Sequence, residues 1–129
     1  MITATRQVTE HEQGMLKRAL RHQEGLTLPM VLESIKDGSY VVLRGDRTVV
    51  TLSLTDEALH VNQYSGKLSD LPQLAEAIIK IAKDFNKRYI DMNGRKGWVK
   101  VLKKYGMFPI DQDKFTHYRR DSHGWRRSK

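Results

Sequence analysis

Ala58-Leu59-His60-Val61-Asn62 places Leu59 and Val61 on one side and His60 on the other; Gln63-Tyr64-Ser65-Gly66-Lys67-Leu68 follows, and then Leu74, Ala77, Ile78, Ile81 and Phe85 recur at a spacing of three to four. A period of two marks a strand and a period between three and four marks a helix. The stretch therefore predicts a strand over 58–62, a Gly-bearing turn, and a helix from about Asp70 to Lys87 with Lys80, Lys83 and Lys87 on its outer face. Tyr89-Ile90-Asp91-Met92 reads as the next strand. A strand reached through a helix is expected to lie parallel to its predecessor, by a right-handed crossover.

Working upstream, Thr48–Leu54 and Tyr40–Leu43 are rich in β-branched residues and are separated by short turns, Arg44–Arg47 and Thr55–Glu57. That pattern predicts an antiparallel meander ending in the 58–62 strand. Before it lie two helices. Thr9-Glu10-His11-Glu12 has the form of a capping box ahead of Met15, Leu16, Ala19 and Leu20, with Gly25 as the stop. Pro29 suits the first turn of the second helix, Val31, Leu32 and Ile35 give its inner face, and Asp37-Gly38 ends it. Ile2–Val8 reads as an opening strand. Downstream, Trp98, Val101, Leu102 and Tyr105 line one side of a helix that Gly106 stops, and Phe115–Tyr118 reads as a last strand. Residues 1–121 are expected to form a single domain, and residues 122–129 a basic, mobile tail.

The chain has 129 residues, 39% of them hydrophobic and 29% charged, which suits one globular domain. It has no Cys, so disulfides, thiolate metal sites and Cys nucleophiles are excluded. The His residues at 11, 22, 60, 117 and 123 show no metal-ligand spacing, and no metal is expected. No apolar run approaches the roughly 20 residues that span a bilayer, and Met1–Arg6 lacks a signal peptide's apolar stretch, so a cytoplasmic location is expected. The net charge is +8, yet residues 1–79 sum to −2 and residues 80–129 to +10. A field concentrated in this way attracts polyanions: nucleic acid, an acidic protein face, or the phosphates of a nucleotide cofactor.

The order strand, two helices, three antiparallel strands, long helix, strand, helix, strand resembles the GNAT N-acetyltransferase superfamily over nearly the whole chain. Ile2–Thr9 resembles the family's opening strand with its Arg. Leu32–Val42 resembles its second helix running into the second strand. Gln63-Tyr64-Ser65-Gly66-Lys67-Leu68 resembles its Q/R-x-x-G-x-G/A pyrophosphate loop, and Asn93 with Lys103-Lys104-Tyr105-Gly106-Met107 resembles its strand-end Asn and closing helix. The long helix with Gly94-Arg95-Lys96-Gly97-Trp98, in so small a chain, looks most like bacteriophage GNAT-like proteins, among them internal virion proteins of short-tailed phages. The resemblance implies an α/β (α+β) fold: a mixed sheet, mostly antiparallel, with a parallel splay between the fourth and fifth strands and helices on both faces. It implies acetyl-CoA or another acyl-CoA as cofactor, held in that splay against Val61, Asn62, Gln63, Gly66 and Lys67, with Asn93 nearby. It implies an amine acceptor, with Glu57 and His60 as the candidate bases. The location would then be a bacterial host's cytoplasm, or the virion.

The chain departs from the family pattern at three points. Leu68 stands where the loop has Gly or Ala, Asp70 and Pro72 enter before the helix, and Leu102 occupies the position of the Tyr that protonates the leaving thiolate. The resemblance is therefore compatible with an active N-acyltransferase or a non-catalytic descendant. The alternative is a non-enzymatic basic phage accessory or virion protein that binds nucleic acid or other phage structural proteins. Arg95, Lys96, Lys100, Lys103 and Lys104 would supply one basic face, and Arg119, Arg120, Trp125, Arg126 and Arg127 a basic, aromatic tail.

Overall fold

The computed structural model describes residues 2–23, 25–94, 99–112 and 116–121. In chain order these form β1 (Thr3–Thr5), α1 (Glu10–Ala19), α2 (Leu28–Asp37), β2 (Val41–Arg44), β3 (Thr48–Leu54), β4 (Ala58–Gly66), α3 (Leu71–Asp84), β5 (Tyr89–Gly94), α4 (Val99–Lys103), β6 (Phe108–Gln112) and β7 (Thr116–Asp121). Short 3-10 turns, Leu20–His22 and Leu68–Asp70, extend α1 and precede α3.

All seven strands make one mixed sheet in the order β1-β2-β3-β4-β5-β7-β6. Among the described residues only β4 and β5 run parallel; the other neighbours are antiparallel. The parallel pair is the one predicted from the strand–helix–strand reading. Alternating side chains send Leu43, Val50, Leu59, Val61, Ile90 and Met92 to one face, where they pack on Leu74, Ile78 and Ala82 of α3 and Leu102 of α4. Val42 and Val49 point the other way, onto Met15, Leu16, Val31 and Ile35 of α1 and α2. Helices thus cover both faces, and each fully buried Leu or Ile contributes about 1.5–3 kcal/mol.

The helix ends follow from local chemistry. Thr9 caps α1 and forms the full capping box with Glu12. Thr27 caps α2, Pro29 sits in its first turn, and Gly38 ends it at φ 90, a conformation that costs a side-chain-bearing residue far more. Several boundaries differ from the sequence reading: α1 ends at Ala19, ahead of Gly25, and the last strand runs to Asp121, past Tyr118. The opening strand is shorter, β4 runs four residues further than Asn62, and Phe108–Gln112 is a strand although it contains Pro109. That strand is at the sheet edge and carries a register shift between Pro109 and Asp111, which is where a proline is tolerated.

Candidate functional site

The parallel pairing of β4 with β5 begins at Ala58↔Tyr89 and ends at Val61↔Met92. Beyond that point β4 continues to Gly66 on its β3 side, and β5 to Gly94 on its β7 side. The two strands therefore part at Val61 and Met92, where the splay was expected.

A β-bulge sits at the parting. Thr51 pairs with Gln63 and Leu52 with Val61, so Asn62 is one residue too many for β3. The extra residue reverses the alternation: Val61 and Tyr64 both face α3, while Gln63 joins Thr51 on the α1 side. Polar contacts lock this shape. The Thr51 hydroxyl accepts from the Gln63 amide at 3.1 Å and donates to the Gln63 side-chain oxygen. Gln63 Nε2 donates to Gln23 Oε1 at 3.1 Å, and Gln23 Nε2 donates to the Asn62 carbonyl at 3.1 Å. Asn62 Nδ2 reaches Ser53 Oγ at 3.0 Å. Gln23 comes from the α1–α2 connection, so that connection is tied directly to the bulge.

The two candidate bases separate. His60 is one residue before the parting, on the strand face opposite Leu59 and Val61, and is half-buried. Its register partners are Ser53 on β3 and Asp91 on β5, and Asp91 in turn pairs with Arg119 on β7. The row Ser53, His60, Asp91, Arg119 thus crosses four strands. Asp91 is 5% exposed, and Arg119 grips it with two bonds, Nε–Oδ1 at 2.7 Å and NH2–Oδ2 at 2.8 Å. The Arg119 guanidinium also lies 4.2 Å from the centre of the Tyr89 ring. This bond to Asp91 raises the Arg119 pKa further, and the two opposite charges compensate one another in the strands beside His60. Glu57 is exposed in the β3–β4 turn, at the closed end of the parallel pair, where its carbonyl accepts from the Arg88 and Tyr89 amides. Its place is away from the parting.

The turn from β4 into α3 corrects the pyrophosphate-loop reading. Gln63–Gly66 belongs to the strand, not to a loop. Gly66 has φ 140, and a Cβ there would come within 2.3 Å of the Arg47 carbonyl oxygen and 2.5 Å of Thr48 Cα. The glycine is required by the close approach of β3. The Lys67 amide donates to Thr48 Oγ1, the Asp70 amide to the Lys67 carbonyl and the Leu71 amide to the Leu68 carbonyl, while Pro72 has none. Three amides of this turn, those of Lys67, Asp70 and Leu71, are thus engaged within the chain and not offered to an anion. Asp70 turns back from α3: Thr48 Oγ1 donates to it at 2.7 Å and the Arg47 amide at 3.0 Å. Those bonds hold its carboxyl below the usual range.

On the α3 side, Tyr64 donates its hydroxyl to the Lys67 carbonyl at 2.9 Å, and burial pushes its phenol up to about 12. Charges on Asp70 and Tyr105 add to that shift. Leu102 is 2% exposed and belongs to the core.

Of the residues implied by the resemblance, Val61, Asn62 and Gln63 meet at the parting, and Gly66 and Lys67 lie at the end of β4. Asn93 lies in β5 beyond its last pair with β4. Of the basic residues, Lys100, Lys103 and Lys104 are exposed on and after α4. Arg119 and Arg120 are held within the sheet: Arg119 by Asp91, and Arg120 by the Tyr105 and Asp121 carbonyls. They are therefore not part of an exposed basic tail. Arg95, Lys96, Trp98, Trp125, Arg126, Arg127 and the tail 122–129 lie outside the described residues. Sequence reasoning missed Gln23, Thr51 and Asp91. Asp91 carried a signal, because an acidic residue between Ile90 and Met92 must face away from both; Gln23 carried none.

No protein-family model and no curated protein matches the chain. Solved structures do. FeeM, an N-acyl amino acid synthase from uncultured soil microbes, has a TM-score of 0.73 at 9% identity, covering 100% of this chain and 96% of that one. A Bacillus subtilis acetyltransferase in complex with CoA has a TM-score of 0.69 at 14% identity, covering 93% and 97%. A GNAT-family acetyltransferase from Listeria monocytogenes has a TM-score of 0.65 at 8% identity, covering 93% and 94%. The chain has the GNAT fold.

Proposed function

We propose that the chain is an N-acyltransferase that moves an acyl group from acyl-CoA to an amine at the parting of β4 and β5. The observation that carries this reading is the end of pairing at Val61↔Met92 beside the Asn62 bulge. Past Val61 the β4 edge has no β5 partner, so an extended ligand fits between the strands, against Val61, Asn62 and Gln63. A bound acyl-CoA supplies the acyl group as a thioester, an electrophile with a thiolate leaving group. At neutral pH an amine acceptor arrives as an ammonium and cannot attack until it loses a proton. His60 accepts that proton, one residue before the strands part. Gln23, Thr51 and Gln63 hold the bulge in shape and position the strand edge.

Thiol release from acetyl-CoA and from long-chain acyl-CoA, measured against a panel of amines, tests the reading. We expect His60→Gln to lower kcat by about 10² to 10⁴ and to remove the rising limb of the pH profile, with Glu57→Gln near wild type. Absence of thiol release with every pair, together with no shift in melting temperature on adding CoA, would overturn it.

A second reading, a non-enzymatic basic protein for nucleic acid or other virion components, is favoured by the exposed Lys100, Lys103 and Lys104 in the basic half of the chain. It predicts a salt-sensitive melting shift with DNA that a triple Ala variant loses. The phage origin, and a place in host cytoplasm or virion, rest on the sequence resemblance.

A further inference from the structure

A cleft of about 600 Å³ opens on the α1 side of the sheet, at the end where β4 stops. Its walls include Arg18 of α1, Asp46 and Arg47 of the β2–β3 turn, and Ser65 and Lys67 at the end of β4. Arg18, Arg44, Arg47 and Lys67 line it against two carboxylates, Glu12 and Asp46. Glu12 is already engaged by Arg44 and by the Thr9 amide. Arg18 and Lys67 are exposed and make no ion pair among the described residues. Arg47 is 59% exposed, 3.7 Å from Asp70, and donates to Ser69 Oγ at 2.8 Å. The cleft therefore carries surplus positive charge, and at the neighbouring start of α3 the Asp70 and Leu71 amides are engaged within the chain.

We infer that this cleft is a phosphate site, in which Arg18, Arg47 and Lys67 bind a diphosphate or phosphomonoester group through charge-assisted hydrogen bonds. Side-chain cations on the α1 side thereby replace the amides that the β4–α3 turn has spent internally. Five residue steps along extended chain, about 16 Å, take Asn62 to Lys67. A ligand with a reactive end at the bulge and a phosphate in the cleft would follow that segment. If the phosphate belongs to the acyl donor, the inference rests on the acyltransferase reading; if it belongs to a separate phosphorylated ligand, it stands alone.

Calorimetry on the full chain, with pyrophosphate, ADP, CoA and pantetheine as probes, decides among these. The variants are Arg18→Ala, Lys67→Ala, their double and, in case the double fails to fold, Arg18→Gln; Lys103→Ala is the control. The expected result is binding of pyrophosphate and ADP that weakens about 10-fold or more in the double variant, or measurably in Arg18→Gln, and is unchanged in the control. Parallel loss for CoA, with pantetheine indifferent to the variants, makes the donor the source. Phosphate binding without CoA binding or thiol release supports a separate phosphorylated ligand, leaving the cleft inference intact while the acyltransferase reading falls. CoA binding that is equal in wild type and variants overturns the cleft but spares the acyltransferase reading. Failure of every phosphate-bearing probe overturns the cleft inference outright.

Discussion

Thr51 accepts from the buried Gln63 backbone amide and donates to the Gln63 side-chain oxygen, and the Gln63 side-chain N–H donates to Gln23 Oε1. Valine has the same shape as threonine and neither bond. Thr51→Val therefore leaves a buried amide and a buried carbonyl without partners, at a cost of about 1–3 kcal/mol. Urea denaturation would show this as a lower midpoint with unchanged slope. At this scale the sequence was partly legible. His60 declares its face through Leu59 and Val61, but nothing local distinguishes Thr51 from any other strand threonine. Its importance comes from a partner twelve positions away on another strand.

β4 is the element on which the site depends, and its length was set from outside. Read alone, Gln63-Tyr64-Ser65-Gly66 is polar and ends in glycine, which suggests a loop. It is a strand because β3 offers partners from Thr48 to Leu54. Gly66 marks the end of that contact, with β3 backbone where its side chain would be. Gly66→Ala would combine an unfavourable backbone conformation with a clash against main chain, roughly 2–6 kcal/mol in all. We expect a large drop in melting temperature, even without ligand. Retention of wild-type stability would instead show that β3 and β4 can separate there. α3, by contrast, was legible within three residues at either end, since a helix's period of apolar side chains is written in its own sequence.

For the whole molecule, two carboxylates clamp helices to the sheet at the end of the cleft. Glu12 joins α1 to Arg44 of β2, and Asp70 joins the start of α3 to the β2–β3 turn. Both have lowered pKa values in the fold: Glu12 chiefly through its hydrogen bond to Arg44, Asp70 chiefly through Thr48. A carboxylate with a lowered folded pKa contributes stability that is complete above its unfolded value, near 4, and is lost as pH falls through the folded value. Stability should therefore decline as the solution is acidified from about pH 5 to pH 3. Glu12→Gln should be about 1 kcal/mol less stable at pH 7 and show a shallower acid loss. Equal acid slopes in the two proteins, from urea midpoints across that range, would contradict this.

By itself the sequence determined the helices, the Thr9 cap and the Gly38 stop, the meander, the one parallel pair and the uneven distribution of charge. These depend on side-chain period, turn chemistry and composition, all local quantities. Tertiary structure alone decided which residue makes the bulge, that Arg119 neutralises Asp91 instead of facing solvent, and that Arg18, Arg47 and Lys67 line one cleft. Each of these depends on register between strands or on packing between distant segments, and such a relation takes its value only when the chain has closed on itself.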